Sequence, residues 1–414
     1  MKHILLLFSF LFPVSASAQE QTLSLTQAWA KALSANQSLK AKEYEKKQYE
    51  YSYLSSLNSY LPQISLSHSF SRSGGDSSSV SNRFSASVSA SQEIFNLKTI
   101  SSIKISKYSL ETAQISYRTA LCDLRKDFFT AYLNLYFAQE KVKVSERILE
   151  IRKENAKLIS LKYESGMESR GNMLYSAAQA EMAALSLRRA KRDLENYQEE
   201  LSKIMGETYD KNIAAQYNLE IPSQNYSYEE ILKNSFYPDL AVYEKNLASA
   251  KERLLSGKYD ALPSLKASGS WSYSGDYEFP KNKSWSLGLS MSLPLFSGGP
   301  FYYYSNTNSL KNAVKSAEKK LEEAKLAYEK NLRSYLRDFE NASDTARVYM
   351  GLKQADEERY KEGQIQYMAG KLSFINLENL EQNMIDSKIN YLEYIKNAWL
   401  KKIALERLMG KDSL

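Results

Sequence analysis

The sequence predicts a membrane protein of mixed helix and strand, α+β in class, written twice along the chain, with too few strands to close a barrel alone. Three observations carry this reading. Each half holds two stretches in which large apolar residues alternate with serine. Each half also holds a helical stretch far longer than a compact domain accommodates. Short motifs of the first half return in the same order in the second, at an offset of about 200 residues, the mark of a duplication.

The chain of 414 residues opens with MKHILLLFSFLFPVSASAQE. A lysine, an apolar run from Ile4 to Val14 and the small residues Ala16-Ser17-Ala18 have the order of a secretory signal peptide, residues 1–18. The run is too short to span a hydrocarbon layer of about 30 Å. The mature chain is therefore expected outside the cytoplasm.

The first unit, 19–206, begins with a short helix around 24–36 and a medium helix from Leu39 to Tyr60. The latter stops at Pro62, which lacks the N–H a helix interior needs. Strands are expected over 62–72 and 83–95, joined by the loop SGGDSSSVSN. The next helix, 98–163, contains neither proline nor glycine and would be roughly 100 Å long. Its apolar residues step by three and four through Leu110, Ala113, Tyr117, Ala120, Leu124, Phe128, Ala131, Leu135, Ala138 and Val142, which is coiled-coil spacing. A return helix, about Asn172–Met205, covers half that length, so the medium helix is expected to stack above it. The second unit, 207–414, repeats the plan with strands at 263–274 and 284–296 and a long helix over 304–367.

Four motif pairs support the duplication: Leu61-Pro62 with Leu262-Pro263, SQEIFN with SLPLFS, YESGMESRGN with YMAGKLSFIN, and Met205-Gly206 with Met409-Gly410. Short segments around 24–36 and 207–237 are expected beside the break in the interrupted helical layer.

Composition narrows the chemistry. Cys122 is the only cysteine, so no internal disulfide is expected. Beyond the signal peptide, His68 is the only histidine, and one Cys with one His makes no ordinary zinc site. No catalytic constellation, metal or cofactor is expected. The net charge of +7 is spread over helices in which Lys and Arg mix with Asp and Glu, as on solvated helix faces, so nucleic acid is not an expected partner.

The strands are the informative part. Ile64, Leu66 and Phe70 lie on one face, as do Phe84, Ala86, Val88 and Ala90; the second half supplies Leu265, Ala267, Trp271, Tyr273 and the series Trp285 to Leu293. The other face is almost all serine. A soluble sheet also alternates, but here the helices spend their apolar seams on one another and leave nothing to cover the greasy side. A barrel with lipid outside and water inside accounts for both faces. Four strands cannot close one, and each open edge would leave backbone groups unpaired in hydrocarbon at several kcal/mol apiece, so copies must associate. Two copies would give a filled eight-stranded barrel and three a twelve-stranded one with a water path; four are not excluded.

The signal peptide, the duplicated strand–strand–long-helix unit, the strand exit Pro294-Leu295-Phe296-Ser297-Gly298-Gly299 and the Tyr-x-x-Gly turns resemble TolC-type outer-membrane efflux channels over essentially the whole mature chain. The resemblance implies a homotrimer with a twelve-stranded barrel in outer-membrane lipid, continued by a periplasmic barrel of coiled-coil helices. It implies a passive exit duct, not an enzyme, served by a periplasmic adaptor (membrane fusion) protein and an inner-membrane pump of RND, ABC or MFS type. A dedicated protein-secretion (type I) duct is the alternative within that class; a structural coiled-coil envelope protein is the alternative outside it.

At the helix reversals, Gly166 and Gly370 fit a left-handed C′ position, and Ser169 and Ser373 fit N-caps of the return helices. The resemblance makes these turns the adaptor-docking tips and places the channel entrance at Tyr163, Tyr367, Asn172, Asn376 and Asn379. Family channels commonly carry aspartate six and nine residues after the second glycine, where this sequence has Asn376 and Asn379. Glu378 lies between them and is the further entrance candidate, an alternative that helical spacing disfavours because 376 and 379 share a face that 378 leaves. Amides can close a pore by hydrogen bonding but lack the field that attracts cations.

Overall fold

The computed structural model describes residues 21–76, 78–208, 213–216, 220–222, 226–234, 237–278, 281–294, 298–299 and 301–414. The expected signal peptide and residues 295–297 of the strand exit lie outside the described residues.

A short strand, β1 (Gln21–Ser24), leads into α1 (Leu25–Ala35). Ser24 starts that helix with a capping box, accepting from the Gln27 N–H while its own N–H donates to the Gln27 side chain. The second helix, α2 (Gln37–Leu57), is capped by Asn36 and ends in a 3-10 turn at Asn58–Tyr60, before Pro62. Then follow β2 (Gln63–Gly75), β3 (Ser78–Phe95), α3 (Leu97–Glu164) and α4 (Arg170–Ile204). After β4 (Ile213–Gln216) and α5 (Tyr228–Asn234), the order repeats: α6 (Pro238–Tyr259), β5 (Ser264–Gly275), β6 (Asn282–Ser292), α7 (Tyr302–Met368) and α8 (Phe374–Leu408).

The two long helices have 68 and 67 residues, about 100 Å each at the helical rise. α3 is lined by α2 on the half next to the strands and by α4 on the far half. In the second unit α6 and α8 divide α7 in the same way. α3 also touches α6 and α8, which joins the two units side by side.

The largest core lies at the break in the interrupted layer. Trp29 of α1 packs on Phe128 of α3 with ring centroids 5.3 Å apart, and Tyr132, Leu133, Leu135, Leu201 and Met205 are buried around them. Here the structure adds what periodicity missed: β1 and β4 pair in parallel, so the described chain has six strands rather than four. Each is four residues long, too short for alternation to register. The Tyr132 hydroxyl ties β4 to α3 by donating to the Gln216 carbonyl at 2.9 Å and accepting from the Gln216 N–H at 3.0 Å.

The duplicated Met-Gly pairs are helix terminators. Gly206 and Gly410 have φ of +69° and +73°, and the residue after each donates back to Ser202 and Glu406 respectively, closing Schellman turns. A Cβ on Gly206 would sit 2.5 Å from the Ala35 carbonyl oxygen. Nearby, Arg125 and Glu406 form a buried ion pair at 2.6 Å, and Arg407 bridges Asp123 of α3 and Asp239 of α6. Burial alone would raise the Glu406 carboxyl, but Arg125 holds it below the ordinary range. Cys122 is buried and free, and burial pushes its thiol up to about 11.

The sheet order is β2-β3-β5-β6, antiparallel throughout. The segment 73–82, expected as a loop, is mostly strand: β2 continues to Gly75 and β3 resumes at Ser78. Its serines extend the strand pattern, so a flexible composition hid a tight hairpin. β6 in turn ends at Ser292, short of the expected 296.

Candidate functional site

Register makes each face of the sheet continuous. One face carries rows of hydroxyls that cross all four strands: Ser65–Ser89–Ser270–Ser286, then Ser67–Ser87–Ser272–Ser284. Within these rows Ser65 and Ser89 lie 2.7 Å apart, Ser67 and Ser87 2.8 Å, and Ser272 and Ser284 2.6 Å. Each pair satisfies part of the other's hydrogen bonding while leaving lone pairs for water. The interleaved rows are Ile64–Ala90–Gly269–Leu287 and Leu66–Val88–Trp271–Trp285.

The apolar face is uncovered. Leu66 and Leu287 are each 80 % exposed and Trp285 75 %. No described helix is long and apolar enough to cross a membrane. Toward the hairpin ends Phe70 stacks on Phe84 at 4.6 Å.

The second candidate region is at the far end of the long helices. Gly166 and Gly370 adopt φ of +73° and +72°, and the residue after each closes a Schellman turn: Met167 N–H to the Lys162 carbonyl at 2.8 Å and Lys371 N–H to the Gln366 carbonyl at 2.9 Å. Ser169 and Ser373 are N-caps, their hydroxyls accepting from the Asn172 and Asn376 N–H groups. The repeated Ser-x-x-Asn spacing is thus a cap and its third helical residue.

The two reversals differ in their side chains. Tyr367 is 2 % exposed, whereas Tyr163 is 37 % exposed. Tyr367 donates to Glu168 Oε1 at 2.7 Å, and Lys162 reaches the Tyr367 carbonyl at 3.1 Å while lying over its ring. Asn172 donates its side-chain N–H to Glu168 Oε2 at 2.9 Å. Burial would raise the Glu168 carboxyl, but the Asn172 and Tyr367 donors together hold it below the ordinary range. Burial pushes the Tyr367 phenol upward, with its bond to Glu168 adding to the effect.

The structure thus gathers Lys162, Glu168, Asn172 and Tyr367 into one knot joining the two hairpins. Asn376 and Asn379 stand apart and are exposed. Glu378 turns away from them and accepts a hydrogen bond from Tyr175 of α4.

Sequence reasoning missed a buried cluster further up. Arg152 Nε lies 2.8 Å from Glu381 Oε1, Asn155 donates to Glu381 Oε2 at 2.5 Å, and Asn155 Nδ2 is 3.0 Å from the Tyr360 hydroxyl. Arg152 also donates to the Gln382 side chain at 2.9 Å. α3, α7 and α8 each contribute. Glu381 is 3 % exposed, and burial raises its carboxyl in spite of Arg152. Burial likewise pushes Tyr360 up to about 12. The signal was present: Arg152 and Asn155 occupy the buried stripe of α3, where apolar residues are the rule.

Known proteins share this architecture. The family described as "Outer membrane efflux protein" matches residues 28–207 and again 228–411. The cobalt-zinc-cadmium resistance protein CzcC of Cupriavidus metallidurans is 21 % identical over 318 residues, 75 % of this chain and 73 % of that protein. Outer membrane protein TolC of Escherichia coli is 21 % identical over 361 residues, 80 % of this chain and 72 % of that protein. Among solved structures, the Campylobacter jejuni CmeC outer membrane channel superposes with a TM-score of 0.81 at 19 % identity, covering 93 % of this chain and 85 % of that one.

Proposed function

The chain belongs to the outer membrane efflux protein family, and we propose that three copies form the exit duct of a tripartite efflux system, with residues 19–206 and 207–414 as its two structural repeats. It resides in the outer membrane with a large helical part in the periplasm. One observation carries the trimer reading: the chain has two unlike open sides. On one side lie edge strand β2 with α2 and α4; on the other lie edge strand β6 and α7. Both bear exposed apolar side chains, among them Tyr51, Leu54 and Met182 on the first and Leu326 and Val348 on the second. Unlike sides that cohere make a head-to-tail contact, and repeated contacts of that kind close into a ring. Three copies supply twelve strands, wide enough for water, whereas eight would be filled by side chains.

In that ring the serine rows line the lumen and the apolar rows meet lipid. The hairpin tips form the periplasmic entrance, with Asn376 and Asn379 of each chain facing the path and the turns at Gly166, Ser169, Gly370 and Ser373 receiving the adaptor. An inner-membrane pump supplies the energy. The duct itself needs no metal or cofactor, because it conducts passively. Amide rings in place of carboxylates make the entrance weakly cation-selective or unselective. Small-molecule efflux is favoured over protein secretion by the relative whose name records metal-ion resistance.

The test is twofold. Unheated membrane extract should show a trimer band that boiling converts to monomer, and the purified trimer should open stepwise conductance in planar bilayers. A soluble, non-conducting monomer would refute the reading.

A further inference from the structure

The lipid-facing side of the sheet is chemically lopsided. Among its described residues it carries no carboxylate, and its only charged or titratable side chains besides Tyr273 are His68, Arg72 and Lys283. All three sit in the half remote from the helices. His68 and Lys283 share one row, His68–Ala86–Tyr273–Lys283, and Arg72 opposes Asn82 two rows further out. Lys283 Nζ is 5.8 Å from the Tyr273 ring centroid, and all three side chains are exposed. Neither Arg72 nor Lys283 forms an ion pair among the described residues. The acidic groups of this end, Asp76, Asp276 and Glu278, stand in the connections beyond the strands rather than on the face itself.

Their height follows from the register. Successive rows are about 6.8 Å apart along a strand, or about 5 Å of height at a tilt of about 40°. Along β6, Lys283 stands about 21 Å above Met291, against an apolar band about 25 Å tall, and Arg72 lies two rows further toward the hairpin end than His68 on β2. Lys283 thus stands near the top of the hydrocarbon, with Arg72 toward the same hairpin end. Trp271 and Trp285 lie one row below, and Phe70 with Phe84 between the two cationic levels. Lysine and arginine extend toward the interface from such positions.

The geometry points to a binding surface for a phosphorylated lipid headgroup of the outer leaflet. Three strand spacings, about 14 Å, separate β2 from β6, so Arg72 and Lys283 would each hold a different phosphate of the headgroup, and the Trp271–Trp285 row would take its acyl chains. Two features select a lipid phosphate: cations on a face that itself carries no carboxylate among its described residues, and an apolar surface continuing directly beneath them. Arginine meets phosphate with two parallel N–H donors, while lysine acts as a point charge. This assignment rests on the duct reading, which fixes which face meets lipid.

The test uses purified trimers incubated with a bis-phosphorylated glucosamine lipid, or with the same lipid stripped of phosphate, and native mass spectrometry of the complexes. Each cation near an anionic surface contributes about a fivefold gain in affinity. Wild-type trimers should therefore retain the phosphorylated lipid about twenty-fivefold better than Arg72→Gln/Lys283→Gln trimers, and Arg72→Lys/Lys283→Arg should restore most of the retention. The phosphate-free lipid should not distinguish the three proteins. Equal retention of the phosphorylated lipid by wild type and the glutamine variant would overturn the inference. Conductance of the wild-type trimer tests the duct reading separately, so a conducting channel with indiscriminate lipid retention sinks this proposal alone. A chain that neither trimerises nor conducts sinks both.

Discussion

Removing one partner from the Arg152–Glu381 cluster should cost far more than removing both. In Glu381→Ala, Arg152 keeps its charge with a side chain only 8 % exposed, and Asn155 loses the carboxylate it donates to. Leaving a buried charge uncompensated costs about 3–5 kcal/mol, whereas replacing a whole buried pair by apolar groups of similar volume is near neutral. Unfolding entropy is about 2.1 cal/mol/K per residue, or roughly 0.9 kcal/mol/K across the 414 residues of the chain. The single variant should therefore melt about 3–6 °C below wild type, and Arg152→Met/Glu381→Leu within about 2 °C of it. Differential scanning calorimetry of purified protein, with heat-modifiable gel mobility as a second readout, measures both. A single variant as stable as wild type, or a double variant as unstable as the single, refutes the account of the cluster as a joint between helices. The pH dependence has a definite sign. Glu381 is raised in the folded state, so its contribution to stability falls as pH rises from the ordinary carboxylate range through its folded pKa, and Glu381→Gln should flatten that slope.

Three other expectations follow from the geometry. At Gly370, φ is +72° and a Cβ would meet nothing within 4 Å, so Gly370→Val stores only local backbone strain of about 1–2 kcal/mol; trimers should still form while export measured by drug or metal susceptibility falls. Asn376→Asp/Asn379→Asp should raise cation selectivity and create block by trivalent cations in bilayer recordings, and strong block of wild type would count against the amide reading. On the sheet, Leu287→Arg should lower the yield of membrane trimer, since arginine facing mid-bilayer lipid costs about 2–4 kcal/mol, whereas its neighbour Ser286→Arg should assemble and alter conductance instead.

What was legible in the sequence is what repeats with a short period. Alternation at Trp285 to Met291 and steps of three and four through Leu124, Phe128, Ala131 and Leu135 located the strands and the long helix to within a few residues of their bounds. Gly166 and Ser169 were readable because a helix reversal limits what can stand there. The pair β1 and β4 was not readable, because a four-residue parallel ladder depends on segments far apart in the chain. The Arg152 cluster was visible only as polar residues on an apolar stripe; which carboxylate answered them depended on how α8 lies against α3. Composition misled once, at 73–82, where Ser and Gly suited a loop and the backbone formed a hairpin.

The duplication explains the scaffold better than it explains the tips. Gly166 and Gly370, Ser169 and Ser373, Met205-Gly206 and Met409-Gly410 hold equivalent places because each solves a backbone problem that occurs twice. Side chains at the same turns have diverged. Tyr367 is buried against Lys162 and Glu168 of the other hairpin, while Tyr163 is more than one-third exposed. Glu168 is central to this difference, since it accepts from Tyr367 across the hairpins and from Asn172 within its own. At the corresponding place of the second unit stands Leu372, which can accept neither bond. The first hairpin therefore supplies the acceptor and the second the donor, and the two copies of one motif become halves of a single fastening.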